Sequence, residues 1–181
     1  PAADEEEDPL NKQTNRLAMS AMFVAVMMVL SYIESLIPIG GVPGMKIGLA
    51  NSVLLLSLYW LGIVISIQLM IVKVFLSAFM FGGFMALPYS LAGGVLSLAV
   101  MIILIYLVKG VSPVGVGVAG AVAHNTAQVG VAMLVLQTSQ LVYYMAILIA
   151  VAIVTGMLTG TVAKLLMYYL PKERKALFSQ S

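Results

Sequence analysis

The feature that most limits what this chain can fold into is a long stretch with almost no charge. Between Leu17 and Leu170 only five side chains are charged: Glu34, Lys46, Lys73, Lys109 and Lys164. Hydrophobic residues make up 62% of the chain and charged residues 9%, whereas about a quarter of a soluble domain is charged. Because such a chain has too little polar surface to face water, the sequence predicts an all-α integral membrane protein.

The apolar runs predict six transmembrane helices, because about 20 apolar residues cross a bilayer. Their approximate bounds are 17–37, 46–60, 63–81, 84–108, 114–136 and 141–170. The second and third runs are separated only by a break at Gly62, so a count of four or five spans stays open. The expected domains are an acidic, disordered tail at 1–16, a membrane domain at 17–170 and a basic tail at 171–181.

The distribution of basic residues predicts that both termini are cytoplasmic. With the N-terminus inside, seven basic residues fall at or near the cytoplasmic face: Lys12, Arg16, Lys109, Lys164, Lys172, Arg174 and Lys175. The expected outer turns at 82–83 and 137–140 carry no charge, which agrees with the positive-inside rule. The predicted location is therefore the bacterial cytoplasmic membrane, in contact with the lipid bilayer, and nothing in the sequence indicates nucleic-acid binding.

The residue inventory restricts the chemistry. The chain has no cysteine and one histidine, which excludes disulfides and thiolate metal sites and argues against a multi-histidine metal site. One histidine and one carboxylate at membrane depth, Glu34, give little acid–base repertoire for an intramembrane enzyme. We therefore expect a protein that is not an enzyme and has no intrinsic cofactor.

Polar side chains inside the apolar runs mark a candidate binding site. An uncompensated polar group in hydrocarbon costs several kcal/mol, so such groups face a bundle interior or a cavity. His124 and Gln128 lie one helical turn apart on one face of the fifth run. The full predicted set of ligand-binding residues is Lys46, Asn51, Lys73, Tyr89, Ser90, His124, Asn125 and Gln128. Two lysines and a histidine favour a ligand with negative charge or several hydrogen-bond acceptors.

Structural roles for the same residues stay open. Glu34 could form an ion pair with Lys46 or Lys73, and Lys46 could instead extend to lipid headgroups. His124 and Asn125 could hydrogen-bond a backbone carbonyl or a neighbouring helix, as polar residues in transmembrane bundles do. A lysine at mid-depth needs a partner or a water-filled cavity, which favours a binding role for Lys73.

Small residues spaced by about one helical turn predict close helix packing in three spans. The three stripes are Ala18, Ala21 and Ala25; Gly117, Ala121 and Asn125; and Ala152, Gly156 and Gly160. We expect the last two to pack within the molecule. The first lies near the cytoplasmic end of its span and could equally contact another protein.

Four ordered segments resemble the Gx transporter family, which is also labelled heptaprenyl diphosphate synthase component I. The first is Pro43-Gly44-Met45-Lys46-Ile47-Gly48-Leu49-Ala50-Asn51. It is followed by Phe81-Gly82-Gly83, by Tyr89-Ser90-Leu91-Ala92-Gly93-Gly94 with Ser97 and Met101, and by Gly120-Ala-Val-Ala-His124-Asn125 with Gln128. The glycine pairs are weak signals singly, whereas the ordered set is specific, and the resemblance covers residues 17–170.

The resemblance implies a substrate-binding S component of an energy-coupling-factor (ECF) importer. Such proteins have six helices and bind a vitamin- or cofactor-like nutrient near the outer face. A transmembrane coupling subunit and two ATPase subunits are the implied partners, and an Ala-x-x-x-Ala pattern on the first helix contacts the coupling subunit. Ala21 and Ala25 match that pattern, and Ala18 extends it. Lys73 departs from the arginine more common in relatives, which removes a bidentate donor while keeping the charge.

The label heptaprenyl diphosphate synthase component I can be compared with the chemistry that such an enzyme needs. A prenyl diphosphate synthase holds Mg²⁺ and diphosphate through clustered aspartates, because hard cations need several oxygen ligands. The two aspartates of this chain, Asp4 and Asp8, both lie in the N-terminal tail. We therefore expect no independent synthase activity. The main alternative is a membrane subunit of a flavin- or quinone-linked redox assembly, or an accessory to prenyl or quinone biosynthesis; it would hold a flavin or quinone between helices.

Overall fold

The structure, a computed structural model, describes residues 9–36 and 49–169, and throughout these ranges the regular elements are helical. The six α-helices are α1 (Pro9–Ser35), α2 (Asn51–Trp60), α3 (Gly62–Ser77), α4 (Leu87–Tyr106), α5 (Pro113–Leu136) and α6 (Leu141–Tyr169). A π-helical turn (Ala78–Gly82) and a 3₁₀ turn (Phe84–Ala86) connect α3 to α4. The predicted all-α membrane class is confirmed.

Helix α1 begins earlier than the sequence indicates. Residues 9–16 were expected to belong to a disordered tail, but α1 starts at Pro9, so that prediction is wrong for this segment. Proline suits the first turn of a helix, because its missing N–H has no helical partner there. Residues 1–8 and 170–181, which hold most of the two predicted tails, lie outside the described residues.

Five of the described helical segments are long and apolar enough to cross a membrane. They are Gln13–Ser35, Gly62–Phe81, Phe84–Tyr106, Pro113–Leu136 and Leu141–Tyr169. The segment predicted as the second span is the ten-residue helix α2, whose length of about 15 Å is half of a ~30 Å hydrocarbon core. The structure thus shows a multi-pass membrane protein, while six crossings and cytoplasmic termini stay predictions.

The short helix α2 lies at the centre of the bundle. It contacts each of α1, α3, α4, α5 and α6. The long helices pack in the order α1, α3, α4, α5, α6, each against the next. A nearly continuous run of α2, from Leu54 to Leu58, is buried, as expected for a helix with neighbours on all sides.

Tight turns set the positions of α2 and α4. Gly62 separates α2 from α3 with φ of 81°, and Gly83 lies between the π-helical and 3₁₀ turns with φ of 63°. Side chains rarely adopt these backbone angles, so glycine is the residue that permits both reversals. The break predicted at Gly62 is therefore confirmed.

The close packing predicted for the fifth and sixth spans is also confirmed. A Cβ atom at Gly156 would lie 2.5 Å from the Cα atom of Val118, and one at Gly160 would lie 2.6 Å from the Cα atom of Val114. Only a residue without a side chain allows backbones to approach this closely, which is how small residues promote helix association in lipid. Helices α5 and α6 are therefore in close backbone contact, and α4 packs against α5.

Candidate functional site

Polar side chains line the inward faces of the helices, and large apolar side chains cover the outside. The described buried polar or charged residues include Ser31, Glu34, Asn51, Ser57, Ser66, Lys73, Ser77, Ser90, Ser97, His124, Asn125, Gln128 and Thr159. Each helix contributes at least one of them. They lie beside a buried apolar core, and the outer surface is apolar because the surrounding hydrocarbon accepts apolar groups and penalises polar ones.

The centre of the candidate site is a glycine pair on α4. A Cβ atom at Gly93 would lie 2.7 Å from both Nδ1 and Cε1 of His124 and 3.1 Å from Cγ of Gln128. The imidazole ring of α5 therefore rests directly on the α4 backbone, with Gln128 one turn along. His124 and Gln128 were predicted to share one inward face of α5. In the structure both side chains face Gly93, and both are at least 98% buried.

Helix α3 contacts the same glycine pair through Met70 and Val74. A Cβ atom at Gly94 would lie 3.1 Å from Sδ of Met70 and 3.7 Å from Cγ2 of Val74. Lys73 stands between these two residues on the buried face of α3 and is 4% exposed. Helices α3 and α5 therefore contact adjacent positions of α4, at Gly94 and Gly93, and each carries a buried basic side chain, Lys73 or His124.

Tyr89 and Ser90 extend this face of α4 by one turn beyond Gly93. Both are buried, as the sequence predicted for groups that line the bundle interior. Ser77 continues the buried face of α3 one turn beyond Lys73, where its hydroxyl donates to the Val74 carbonyl at 3.2 Å. The polar lining thus continues along α3 and α4 toward the turn that joins them.

Helices α1 and α2 close another side of the polar interior. The Glu34 carboxylate accepts a hydrogen bond from the backbone N–H of Leu49, close to the start of α2. A carboxylate at a helix N-terminus is stabilised by the unpaired N–H groups and the helix dipole. Asn51, a predicted site residue, is buried in the first turn of α2, whereas the predicted Lys46 lies outside the described residues.

Asn125 makes a contact that the sequence left open. Its side-chain nitrogen donates to the Leu148 carbonyl of α6 at 3.1 Å. Adjacent residues on a helix point about 100° apart, so His124 meets α4 while Asn125 meets α6. The structure therefore separates two residues that the sequence grouped together and gives the Asn125 amide nitrogen a role in holding α5 to α6.

Ser31 was absent from the predicted set, yet it is fully buried. Its hydroxyl oxygen and the side-chain nitrogen of Asn51 have no hydrogen-bond partner among the described residues. The signal was available in the spacing: Phe23, Met27, Ser31 and Glu34 recur every three to four residues and form the buried stripe of α1. Such a stripe identifies the inward face of a membrane helix.

Other buried polar groups are structural. The hydroxyl oxygens of Ser57 and Ser66 lie 2.7 Å apart across the α2–α3 break. The Ser57 hydroxyl also lies 2.7 Å from the Leu54 carbonyl, and the Ser66 hydroxyl lies 2.8 Å from the Gly62 carbonyl. These contacts satisfy both side chains locally, so this pair holds the helix break and is not part of the candidate site.

The predicted docking stripe lies on the outward face of α1. Ala18, Ala21 and Ala25 are all exposed, on the opposite side of the helix from the buried stripe of Phe23, Met27, Ser31 and Glu34. The alanines therefore do not pack within the described bundle. Their small side chains leave a shallow strip along which another helix could approach closely.

The electrostatics of the site favour an anionic or acceptor-rich ligand. Lys73 provides a cationic nitrogen with three donors, Gln128 an amide, and Tyr89 and Ser90 hydroxyls. A charge at membrane depth is costly unless it is paired or hydrated. Within the described residues the set holds one carboxylate, Glu34, so the donors outnumber the acidic groups.

The family model for heptaprenyl diphosphate synthase component I matches residues 23–166. The chain belongs to this family. The matched range includes every predicted ligand-binding residue and the docking residue Ala25, and it runs from the middle of α1 into the last turns of α6. No curated protein and no solved structure matches the chain. The family resemblance carried by the ordered motifs is therefore confirmed.

The contact between Gly93 and His124 gives the first prediction. Gly93→Ala places a methyl group where the imidazole ring lies, so the ring must move. Because the chain has one histidine, selective isotope labelling makes its ring resonances a direct probe. We expect Gly93→Ala to shift these NMR resonances and Gly94→Ala, which meets the flexible Met70 side chain, to leave them nearly unchanged. Equal shifts in both variants would contradict the packing.

Proposed function

We propose that the protein is the substrate-capture subunit of an ECF-type importer that binds a small vitamin- or cofactor-like metabolite. The observation that supports this proposal is the burial of Lys73, His124 and Gln128 inside a membrane bundle, on two helices that both contact the Gly93–Gly94 pair. Buried donors drawn from separate helices favour a bound ligand, since packing alone is achieved more cheaply with apolar side chains.

The side chains of this protein favour binding of a ligand over catalysis. The component I label belongs to a synthase, and prenyl diphosphate chemistry needs clustered carboxylates for its metal ions. The two aspartates of this chain are Asp4 and Asp8, and Glu34 is the one carboxylate within the described residues. The proposed role is therefore to hold a molecule, with any chemical energy supplied by other subunits.

The proposed partners are a transmembrane coupling subunit and two ATPase subunits. The chain contains no glycine-rich phosphate loop ending in lysine followed by serine or threonine, which is how many ATPases hold nucleotide. The exposed alanine stripe on α1 offers the coupling subunit a surface for close helix contact. The proposed docking surface then lies on the face of α1 that points away from the bundle interior.

The capture proposal predicts that single truncations of the buried basic side chains remove the ligand. A hydrogen bond to a charged group contributes about 1.5–3 kcal/mol, so Lys73→Ala should raise the dissociation constant by at least about tenfold and lower the bound fraction accordingly. His124→Ala should act in the same direction. Native mass spectrometry of gently purified protein measures both the identity and the amount of the bound molecule.

Lys109→Ala is the matched control, because Lys109 is exposed and lies beyond the end of α4. It should retain the ligand at the wild-type level. The variants must also be expressed and folded like the wild type, as judged by elution from a sizing column. Wild-type ligand occupancy in both Lys73→Ala and His124→Ala would exclude the proposed site.

The docking proposal predicts that bulky residues on α1 disrupt assembly with the coupling subunit and not ligand binding. Ala21→Trp or Ala25→Trp fills the shallow strip and should prevent co-purification with the coupling subunit while leaving ligand occupancy unchanged. Ala146→Trp and Ala150→Trp are matched controls, since these alanines are also exposed and four residues apart, on α6. If the α1 variants still co-purify with the coupling subunit, the stripe is not the docking surface.

A further inference from the structure

Helix α2 occupies only part of the depth of the bundle. It has ten residues and is about 15 Å long, whereas the segment Gly62–Phe81 has 20 residues and is about 30 Å long. The two meet at the break before Gly62, so the α2 N-terminus lies no farther from that break than about the middle of the segment, near Lys73. Because Ala50 is 0% exposed, this end of α2 lies inside the bundle.

The buried N-terminus of α2 is not capped by its own N-cap side chain. The N-cap residue is Ala50, and alanine has no side-chain oxygen to accept the N–H groups of the first turn. Those first N–H groups have no acceptor within the helix, and together with the helix dipole they favour a negatively charged partner. The Glu34 carboxylate binds the N–H of Leu49, one residue before the N-cap. The first turn of α2 therefore favours an anion.

Two contacts fix how α1 runs beside α2. Glu34 contacts the backbone of Leu49, and the rings of Phe23 and Trp60 meet edge-on at 6.1 Å. The two contacts are equally far apart along both helices, so α1 and α2 run antiparallel, and Ser31 is level with the first turn of α2. Residues three positions apart share one face of a helix, so the Ser31 side chain faces α2 as Glu34 does.

Two buried polar atoms at the α2 N-terminus have no hydrogen-bond partner within residues 9–36 and 49–169. They are the Ser31 hydroxyl oxygen and the Asn51 side-chain nitrogen. Ser31 is 0% exposed, and Asn51, the first residue of α2, is 6% exposed. Buried polar groups in proteins are almost always hydrogen-bonded, so two such atoms at one helix end point to a ligand. The Asn51 nitrogen is a donor and the Ser31 hydroxyl can donate, so a ligand there carries hydrogen-bond acceptors.

The full charges near the α2 N-terminus do not oppose an anion on balance. Glu34 and Lys73 are buried charged residues of the described chain. Glu34 adds one negative charge beside Leu49, and Lys73 adds one positive charge on α3, about as far from the Gly62 break as the α2 N-terminus. With these two charges balanced, the helix dipole and the neutral donors decide the sign of the local potential, which is positive.

We propose that the first turn of α2, together with Asn51 and Ser31, binds a carboxylate or phosphate group of the captured metabolite. This inference rests on the proposed function and deepens it, because it names the ionised group of the substrate and places that group inside the bundle. The rest of the metabolite extends from α2 toward the α3–α4 turn, along the buried faces that carry Ser77 and Ser90. The substrate class is therefore a small organic acid or phosphate ester.

The test measures the sign of the electrostatic potential beside the α2 N-terminus. The chain has no cysteine, so Ser31→Cys introduces a single thiol there. Its modification rates are measured, in purified protein washed free of bound metabolite, with anionic sulfonatoethyl methanethiosulfonate and cationic trimethylammoniumethyl methanethiosulfonate. Ser139→Cys, in the exposed turn between α5 and α6, gives the reference ratio of the two rates. We expect the anionic-to-cationic ratio to be at least about tenfold higher for Ser31→Cys, because a positive site concentrates anions.

A second substitution separates ligand recognition from helix capping. Aspartate is nearly isosteric with asparagine and is favourable in the first turn of a helix, so a purely structural Asn51 would tolerate Asn51→Asp. Under the proposal, Asn51→Asp removes the amide donor and adds a negative charge. The anionic preference of the Ser31→Cys thiol should then fall to the reference ratio or below it. Asn51→Gln, the matched control, keeps the amide donor and should retain most of the preference.

Three results would overturn the inference: a ratio for Ser31→Cys no higher than the Ser139→Cys reference, no modification of Ser31→Cys by either reagent, or an anionic preference that Asn51→Asp leaves unchanged. The proposed function fails separately. If Lys73→Ala and His124→Ala lose the co-purified molecule while Ser31→Cys shows no anionic preference, only the position of the anion is wrong. If both variants keep that molecule while Asn51→Asp abolishes the preference, the α2 N-terminus binds anions but the capture site at Lys73 and His124 is wrong.

Discussion

Hydrocarbon cannot form hydrogen bonds, and this single constraint organises the molecule. Polar side chains at membrane depth therefore face inward, and each of the six helices buries at least one of them beside the apolar core around α2. Some of these groups satisfy one another, as Ser57 and Ser66 do across the α2–α3 break. Others, among them Lys73, His124 and Gln128, are buried on α3 and α5, the helices that contact Gly94 and Gly93 of α4.

Much of this arrangement could be predicted from the sequence. The long apolar runs locate the five long helices to within a few residues at most ends, because hydrophobic length is the dominant signal in a membrane protein. Small residues at Gly156 and Gly160 predict the close α5–α6 contact. The inward position of Lys73 and His124 also follows from the sequence, since lipid penalises them on any other face.

Three features could not be predicted, each for a physical reason. Helix α2 has no one-sided apolar pattern, so its sequence alone does not separate a short central helix from a full span. Neighbouring positions of one helix meet different partners, so grouping Asn125 with His124 in the sequence could not show that Asn125 contacts α6. An apolar groove lies between α1 and α6, with α2 as its floor. Its width depends on how the first and last helices of the chain pack, and the sequence pattern does not show this.

The most direct test of a shared, water-accessible polar interior uses the absence of native cysteine. Ser90→Cys places a thiol on the inward face of α4, and Ser57→Cys places one in the serine pair; the native serines are 3% and 0% exposed. Since a thiol reacts as the thiolate, a small water-soluble methanethiosulfonate should modify Ser90→Cys at least about tenfold faster in purified protein. Equally slow modification of both variants would show that the polar interior is dry packing and would contradict ligand capture there.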